Sequence, residues 1–134
     1  MTGESDLNTL LSEMTATLAD EVFVFATLPS RKMPEGLDPL MVYQEAEGTT
    51  LILTQSEAVR HDIPHEFPCR RITLNVHSAL EAVGFIARIA SELAKASMGV
   101  NPVAGFYHDH LFVPADRAED AMAILLDVSQ NARA

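Results

Sequence analysis

The sequence predicts an α+β fold of about six mainly antiparallel strands and four helices, and three observations carry that prediction. In RRITLNVHS the apolar residues Ile72, Leu74 and Val76 alternate with Arg71, Thr73, Asn75 and His77, which gives a strand one dry face and one polar face. Immediately after it, Leu80, Val83, Ala87, Ala90 and Ala94 recur at helical spacing, with Ile86, Ile89 and Leu93 broadening the stripe. Two further pairs of strand-like runs, at 41–55 and 101–114, each surround a short turn, and strands joined that way are antiparallel.

Taken in order, the first element is a helix from Ser5 to Ala19, with Ser5 as its N-cap and Leu7, Leu10, Leu11, Met14 and Leu18 on one face. EVFVFATL, residues 21–28, is a short apolar run rich in Val and Phe and reads as a buried strand. PSRKMPEGLDP crowds three prolines and a glycine into a loop. MVYQEAEGTTLILTQ is a hairpin about the turn pair Glu47-Gly48, and SEAVRHDI is a short helix opened by Ser56 and ended by Pro64.

After the strand of RRITLNVHS, Ser78 and Glu81 have capping-box spacing, so the long helix is expected to start there, with Gly99 as its left-handed C-terminal cap. Strands follow at 101–107 and 110–114. A second box, Asp116 with Glu119, opens a last helix whose buried side carries Ala118, Ala121, Met122, Leu125 and Val128. From residue 71 onward the order strand, helix, strand, strand, helix is the ferredoxin-like unit without its last strand.

ITLNVHSALEAVGFIARIASELAKASMGVNPVAGFYHDHLFVP, in which Gly84 stands near the start of the helix, resembles an ACT domain, a small ferredoxin-like regulatory module. With its GESDLNTLL start and HDHLFVP hairpin, the whole chain resembles a bacterial family of uncharacterised proteins built from two ACT-like domains in tandem, here residues 1–67 and 68–134. A plain tandem has eight strands, so the two halves are expected to complete one another's sheets within the chain or across a dimer.

The resemblance implies a regulatory protein that binds a small molecule, an amino acid or similar, where ACT-like units meet, and that works as a homodimer or higher homo-oligomer. Carried over by position, the ligand lies at the loop Asn75, Val76, His77, Ser78 and Ala79, with Gly84 and Phe85 on the helix side. In that reading the ligand's carboxylate docks on the N–H groups around Ser78 and Ala79, at a helix N-terminus. The rival reading is a structural association module with no ligand, whose open strand edges pair with another copy.

Composition narrows the remaining classes. With a formal charge of −10 over 134 residues and no basic stripe interleaved with aromatics, nucleic acid is a poor partner. No apolar run approaches the ~18 residues that span a bilayer, and the acidic start MTGESDLNTLL is unlike a secretory signal, so a cytoplasmic protein is expected. The single cysteine, Cys69, beside Pro68 and Arg70, is open to a nucleophilic reading or to that of an inert strand residue. No nucleophile, base and orienter stand at interpretable spacing, so the expectation is a non-enzyme with no cofactor.

His108-Asp109-His110 invites a metal reading, but a tight hairpin turn centred on His108 and Asp109 accounts for it without chemistry. Taking the first and third strands of the unit as parallel, His110 falls beside Arg71 and roughly 20 Å from His77. His61 and His65 are separated by Pro64, which breaks the helix that would align them, so no metal site is expected. His77 remains open to two readings, a ligand contact or a solvent-exposed loop residue.

Overall fold

Asp6, rather than Ser5, opens the first helix: its carboxylate accepts the Thr9 N–H at 2.9 Å and the Thr9 hydroxyl at 2.7 Å. In this computed structural model, which describes residues 3–134, helix α1 spans Leu7–Glu13. It stops where Met14 turns extended, its N–H closing on the Leu10 carbonyl. Ala16–Leu18 then forms strand β1, where helical spacing had predicted two more turns of helix. Thr15 and Thr17, β-branched and alternating, suit the strand.

The chain divides into two compact units, one made of Asp20 and the residues before it together with Arg70–Ala134, the other of Glu21–Cys69. Strand β5 (His65–Leu74) runs from the second into the first.

In the first unit β1 pairs antiparallel with β5, Ala16 opposite Leu74 and Leu18 opposite Ile72. On the other side of β5 lies β7 (Asp109–Pro114), followed by β6 (Asn101–Ala104). The order β1-β5-β7-β6 is that of the ferredoxin-like sheet, with β1 in the place of the fourth strand that the second half of the sequence lacks. Seven strands therefore stand among the described residues, the added one coming from the predicted first helix.

Helices α3 (Phe85–Lys95) and α4 (Ala118–Arg133) pack with α1 against this sheet. Their core joins Leu10 and Met14 to Ile72, Leu74, Ile89, Leu93, Leu111 and Leu125, all essentially buried. Each such side chain contributes about 1.5–3 kcal/mol relative to exposure. Ser129 on α4 donates its hydroxyl hydrogen to the Met14 carbonyl at 2.9 Å, which fixes the end of α1.

In four further places of the first unit local signals gave way. No helix begins at Ser78: α3 starts at Phe85, with Gly84 as its N-cap at φ 93°. The left-handed residue after α3 is Ser97 (φ 58°), not Gly99, because the Met98 N–H reaches back to Leu93 and closes the helix two residues earlier. The box at Asp116 is replaced by a 3-10 turn, Ala115–Arg117, and Asp120 accepts from Arg117 instead. The β6–β7 turn centres on Phe106 and Tyr107, closed by the Gly105 N–H on the His108 carbonyl, so Asp109 belongs to the strand.

The second unit has strands β2 (Phe23–Leu28), β3 (Met41–Gln44) and β4 (Thr49–Thr54), helix α2 (Gln55–Arg60) and the first half of β5. Its sheet order is β3-β4-β2-β5. Thr54, not Ser56, caps α2, accepting the Glu57 N–H. The proline-rich loop takes the position of the first ferredoxin-like helix, and its Met33 and Leu37 pack against Val24, Leu51, Leu53 and Ala58. Two bonds pin it: Thr49 Oγ1 donates to the Ser30 carbonyl at 3.0 Å, and the Asp38 N–H donates to Glu57 Oε2 at 2.6 Å. β5 begins earlier than Arg71 because the β2–β5 register shifts near Phe67 (φ 61°), and a proline that lacks an N–H is tolerated beside such a bulge.

Candidate functional site

The loop from Asn75 to Gly84 joins β5 to α3 within the first unit, and three sets of bonds set its course. At its start the Asn75 N–H donates to the Thr15 carbonyl at 2.7 Å, and Asn75 Nδ2 donates to Thr17 Oγ1 at 2.7 Å, tying the loop to β1. At its middle Ser78 Oγ donates to Asp109 Oδ2 at 2.9 Å. Asp109 is a buried carboxylate, 7% exposed, at the amino end of β7.

The third set comes from the segment before α1. Glu4 forms a parallel bridge with Ser78: its N–H donates to the His77 carbonyl, and its own carbonyl accepts the Ala79 N–H, both at 2.8 Å. Gly3 lies so close to this backbone that a Cβ there would stand 2.6–2.7 Å from Ser78 C, Ala79 N and His77 O. Only glycine fits. The Ser78 N–H turns to the Val76 carbonyl at 3.1 Å, so the two amides expected to receive a carboxylate are already engaged.

The hairpin tip lies against the same loop. Thr73 Oγ1 and His110 Nδ1 are hydrogen-bonded at 2.9 Å, and the rings of His77 and Tyr107 are 5.6 Å apart. The expected separation of about 20 Å is therefore overturned. The carboxyl end of β5 meets the amino end of β7, which is antiparallel pairing, whereas that distance assumed parallel strands. Burial holds the His110 imidazole below its ordinary pKa, and Arg71, still near enough to act on it, adds to that effect.

Between loop and hairpin opens a cleft of about 480 Å³. Residues 77–81 form one side, Phe106 another, and Gly3 and Ser5 contribute from the amino-terminal segment. Of the residues carried over by position, His77, Ser78 and Ala79 line this cleft. The others do not: Asn75 holds β1, Val76 and Phe85 pack into the core, and Gly84 caps α3. Leu80, Glu81 and Ser5 were read in the sequence only as helix and cap residues, and Phe106 only as part of a strand, none of them as a ligand contact. The adjacent aromatics Phe106 and Tyr107 at a hairpin tip, each about 60% exposed, are the signal that would have found one wall.

Elsewhere, Cys69 is fully buried, its thiol donating to the Phe23 carbonyl at 3.3 Å, and burial pushes its pKa up to about 12. Among the described residues no group of three or more His, Cys, Asp or Glu side chains is placed to hold a metal ion. No described helix is long and apolar enough to cross a membrane.

Comparison with known proteins agrees with the fold. A family model described as an ACT domain matches residues 2–70, and a second model, also described as an ACT domain, matches residues 66–127. No curated protein matches the chain. Among solved structures, a Vibrio cholerae protein of unknown function, described as a possible transport protein, is 34% identical with a TM-score of 0.81, over 92% of this chain and 95% of that one. The ligand-free regulatory subunit of aspartate kinase from Thermus thermophilus has a TM-score of 0.63 at 10% identity, over 84% and 96% of the two chains. The corresponding subunit from Thermus flavus has a TM-score of 0.61 at 10% identity, over 96% and 99%. At such low identity the last two show the fold alone.

Proposed function

The chain belongs to the ACT domain family, with two such domains in tandem, and from that premise we propose that it is a small-molecule-binding regulatory protein rather than an enzyme. Its ligand is an amino acid or a close analogue, held at the β5–α3 loop of the first unit where it abuts an ACT-like unit of a second copy in a cytoplasmic homodimer. The observation that carries this reading is the cleft at residues 77–81, which lies on the loop where ACT-type ligands are expected and has a volume suited to a small molecule.

With the Ser78 and Ala79 amides engaged, recognition falls to side chains: the His77 ring, the Ser5 and Ser78 hydroxyls and the Glu81 carboxylate. Regulation then works by population shift, because a ligand that bridges two units favours their docked arrangement by its differential affinity for it.

Thermal melts against a panel of free amino acids test the proposal. A ligand at a hundred times its dissociation constant adds about 2.7 kcal/mol and raises the midpoint in a concentration-dependent way. A flat response across the panel, with mass measurements showing a constitutive dimer, replaces the sensor with a purely structural association module.

A further inference from the structure

We infer that the cleft selects a ligand with a primary ammonium group on an aromatic or bulky aliphatic body, the chemistry of a hydrophobic amino acid or its amine, rather than an acidic or basic amino acid. The inference rests on the proposal that this cleft is the ligand site.

The polar side of the cleft accepts hydrogen bonds more than it donates them. Glu81 is the charged side chain among the described lining residues, and no lysine or arginine is among them. Ser78 adds a second acceptor. Its single hydroxyl proton is committed to Asp109, so towards a ligand its oxygen offers lone pairs only. The Asp109 carboxylate stands directly behind it. Two acceptors backed by a buried carboxylate match an ammonium group, which has three donors and no acceptor. A second negative group on the ligand, a side-chain carboxylate or a phosphate, would meet no lysine or arginine here and would add repulsion from Glu81.

The remaining walls are apolar and exposed. Phe106 and Leu80 line the cleft and are 61% and 69% exposed. Tyr107 stacks edge-on against Phe106 at 5.0 Å and tilts against His77 at 5.6 Å, so the three rings form a connected aromatic wall. An aromatic or branched aliphatic body laid on this wall removes apolar surface from water and gains ring contacts. A second cation on the ligand has no second lining carboxylate to meet, which argues against lysine-like ligands.

Calorimetric titration of the full chain with phenylalanine, leucine, phenethylamine, 3-phenylpropanoate, glutamate and lysine tests the inference. Phenylalanine and leucine are expected to bind, and 3-phenylpropanoate, which lacks the ammonium group, is expected not to. Phenethylamine separates the two sources: binding equal to that of phenylalanine identifies an apolar amine as sufficient, and weaker binding identifies the amino acid. Glu81→Gln, an exposed and nearly isosteric change, is expected to weaken phenylalanine by roughly tenfold or more, and Phe106→Ala by a similar factor. Tighter binding of glutamate or lysine than of phenylalanine, or undiminished binding of 3-phenylpropanoate, overturns the selectivity and leaves the regulatory site standing. Silence across the whole panel overturns both.

Discussion

Ser78 and Asp109, 31 residues apart in sequence, are joined by a 2.9 Å hydrogen bond from hydroxyl to carboxylate that locks the β5–α3 loop to the first residue of β7. The bond explains why a capping-box serine caps no helix, because its hydroxyl is bound elsewhere. It also makes Asp109 a structural residue, where a turn aspartate would be replaceable by glycine.

Asp109→Ala should therefore destabilise the first unit by about 1–3 kcal/mol, the cost of leaving a buried partner unmatched. Chemical denaturation followed by a probe in residues 70–134 measures it. A variant as stable as the parent would return Asp109 to the role of an ordinary turn residue.

The place of β1 in the sheet is testable by removing one N–H. Asn75 donates to Thr15 and Ala19 donates to Arg71, so by antiparallel alternation Thr17 and Thr73 between them form the hydrogen-bonded pair. Thr17→Pro removes that donor and should cost roughly 1–3 kcal/mol. Hydrogen exchange at the amides of Thr73 and Asn75, which face β1, should accelerate. Unchanged protection there would mean that the fourth strand is dispensable.

Gly84 is the N-cap of α3 at φ 93°, and a Cβ there meets nothing closer than Leu7 Cδ2 at 3.6 Å. Space is adequate and conformation is not. Gly84→Ala should cost about 1–2 kcal/mol through left-handed strain alone, read as a lowered melting temperature. Gly3→Ala isolates the opposite cause, since its Cβ would collide with the backbone of residues 77–79. It should undock the amino-terminal segment, and faster exchange of the Ala79 amide would report it.

Cys69 should be inert in the folded protein. Its thiol is buried and its pKa is raised to about 12, so thiolate is scarce near neutrality. Labelling with a small alkylating reagent should proceed only as the protein unfolds. Rapid modification of the native protein would contradict the burial.

What was legible in the sequence was what periodicity encodes. Ile72 and Leu74 are on the dry face of β5, Ile89 and Leu93 on the buried face of α3, and Leu125 and Val128 on that of α4. What was not legible depended on partners distant in sequence. Leu18 continues the helical spacing of Leu7, Leu11 and Met14, yet Ala16–Leu18 is strand because an open edge of β5 is there to receive it. Ser78 and Asp109 each obeyed a local rule, capping box and turn, until their own bond overrode both. The cleft followed the same logic: its loop was legible by position, while Phe106 and the Gly3–Ser5 segment arrive only through antiparallel pairing and the Glu4 bridge.

His110 gives the fold a pH dependence of definite sign. Its ring, partly buried and hydrogen-bonded to Thr73, is held below the ordinary value of 6.5, first by desolvation, then by the charges of Arg71 and His108, with Asp109 opposing. A histidine whose folded pKa is depressed binds its proton more readily in the unfolded chain, so protonation favours unfolding. Its stabilising contribution is full above 6.5 and is lost as pH falls through the lower folded value. Stability of the first unit should decline on acidification in that window, and His110→Gln, which retains a hydrogen-bonding group for Thr73 without titrating, should flatten the decline. Denaturation midpoints measured for both proteins across the window decide it, and identical pH profiles would remove His110 as the source.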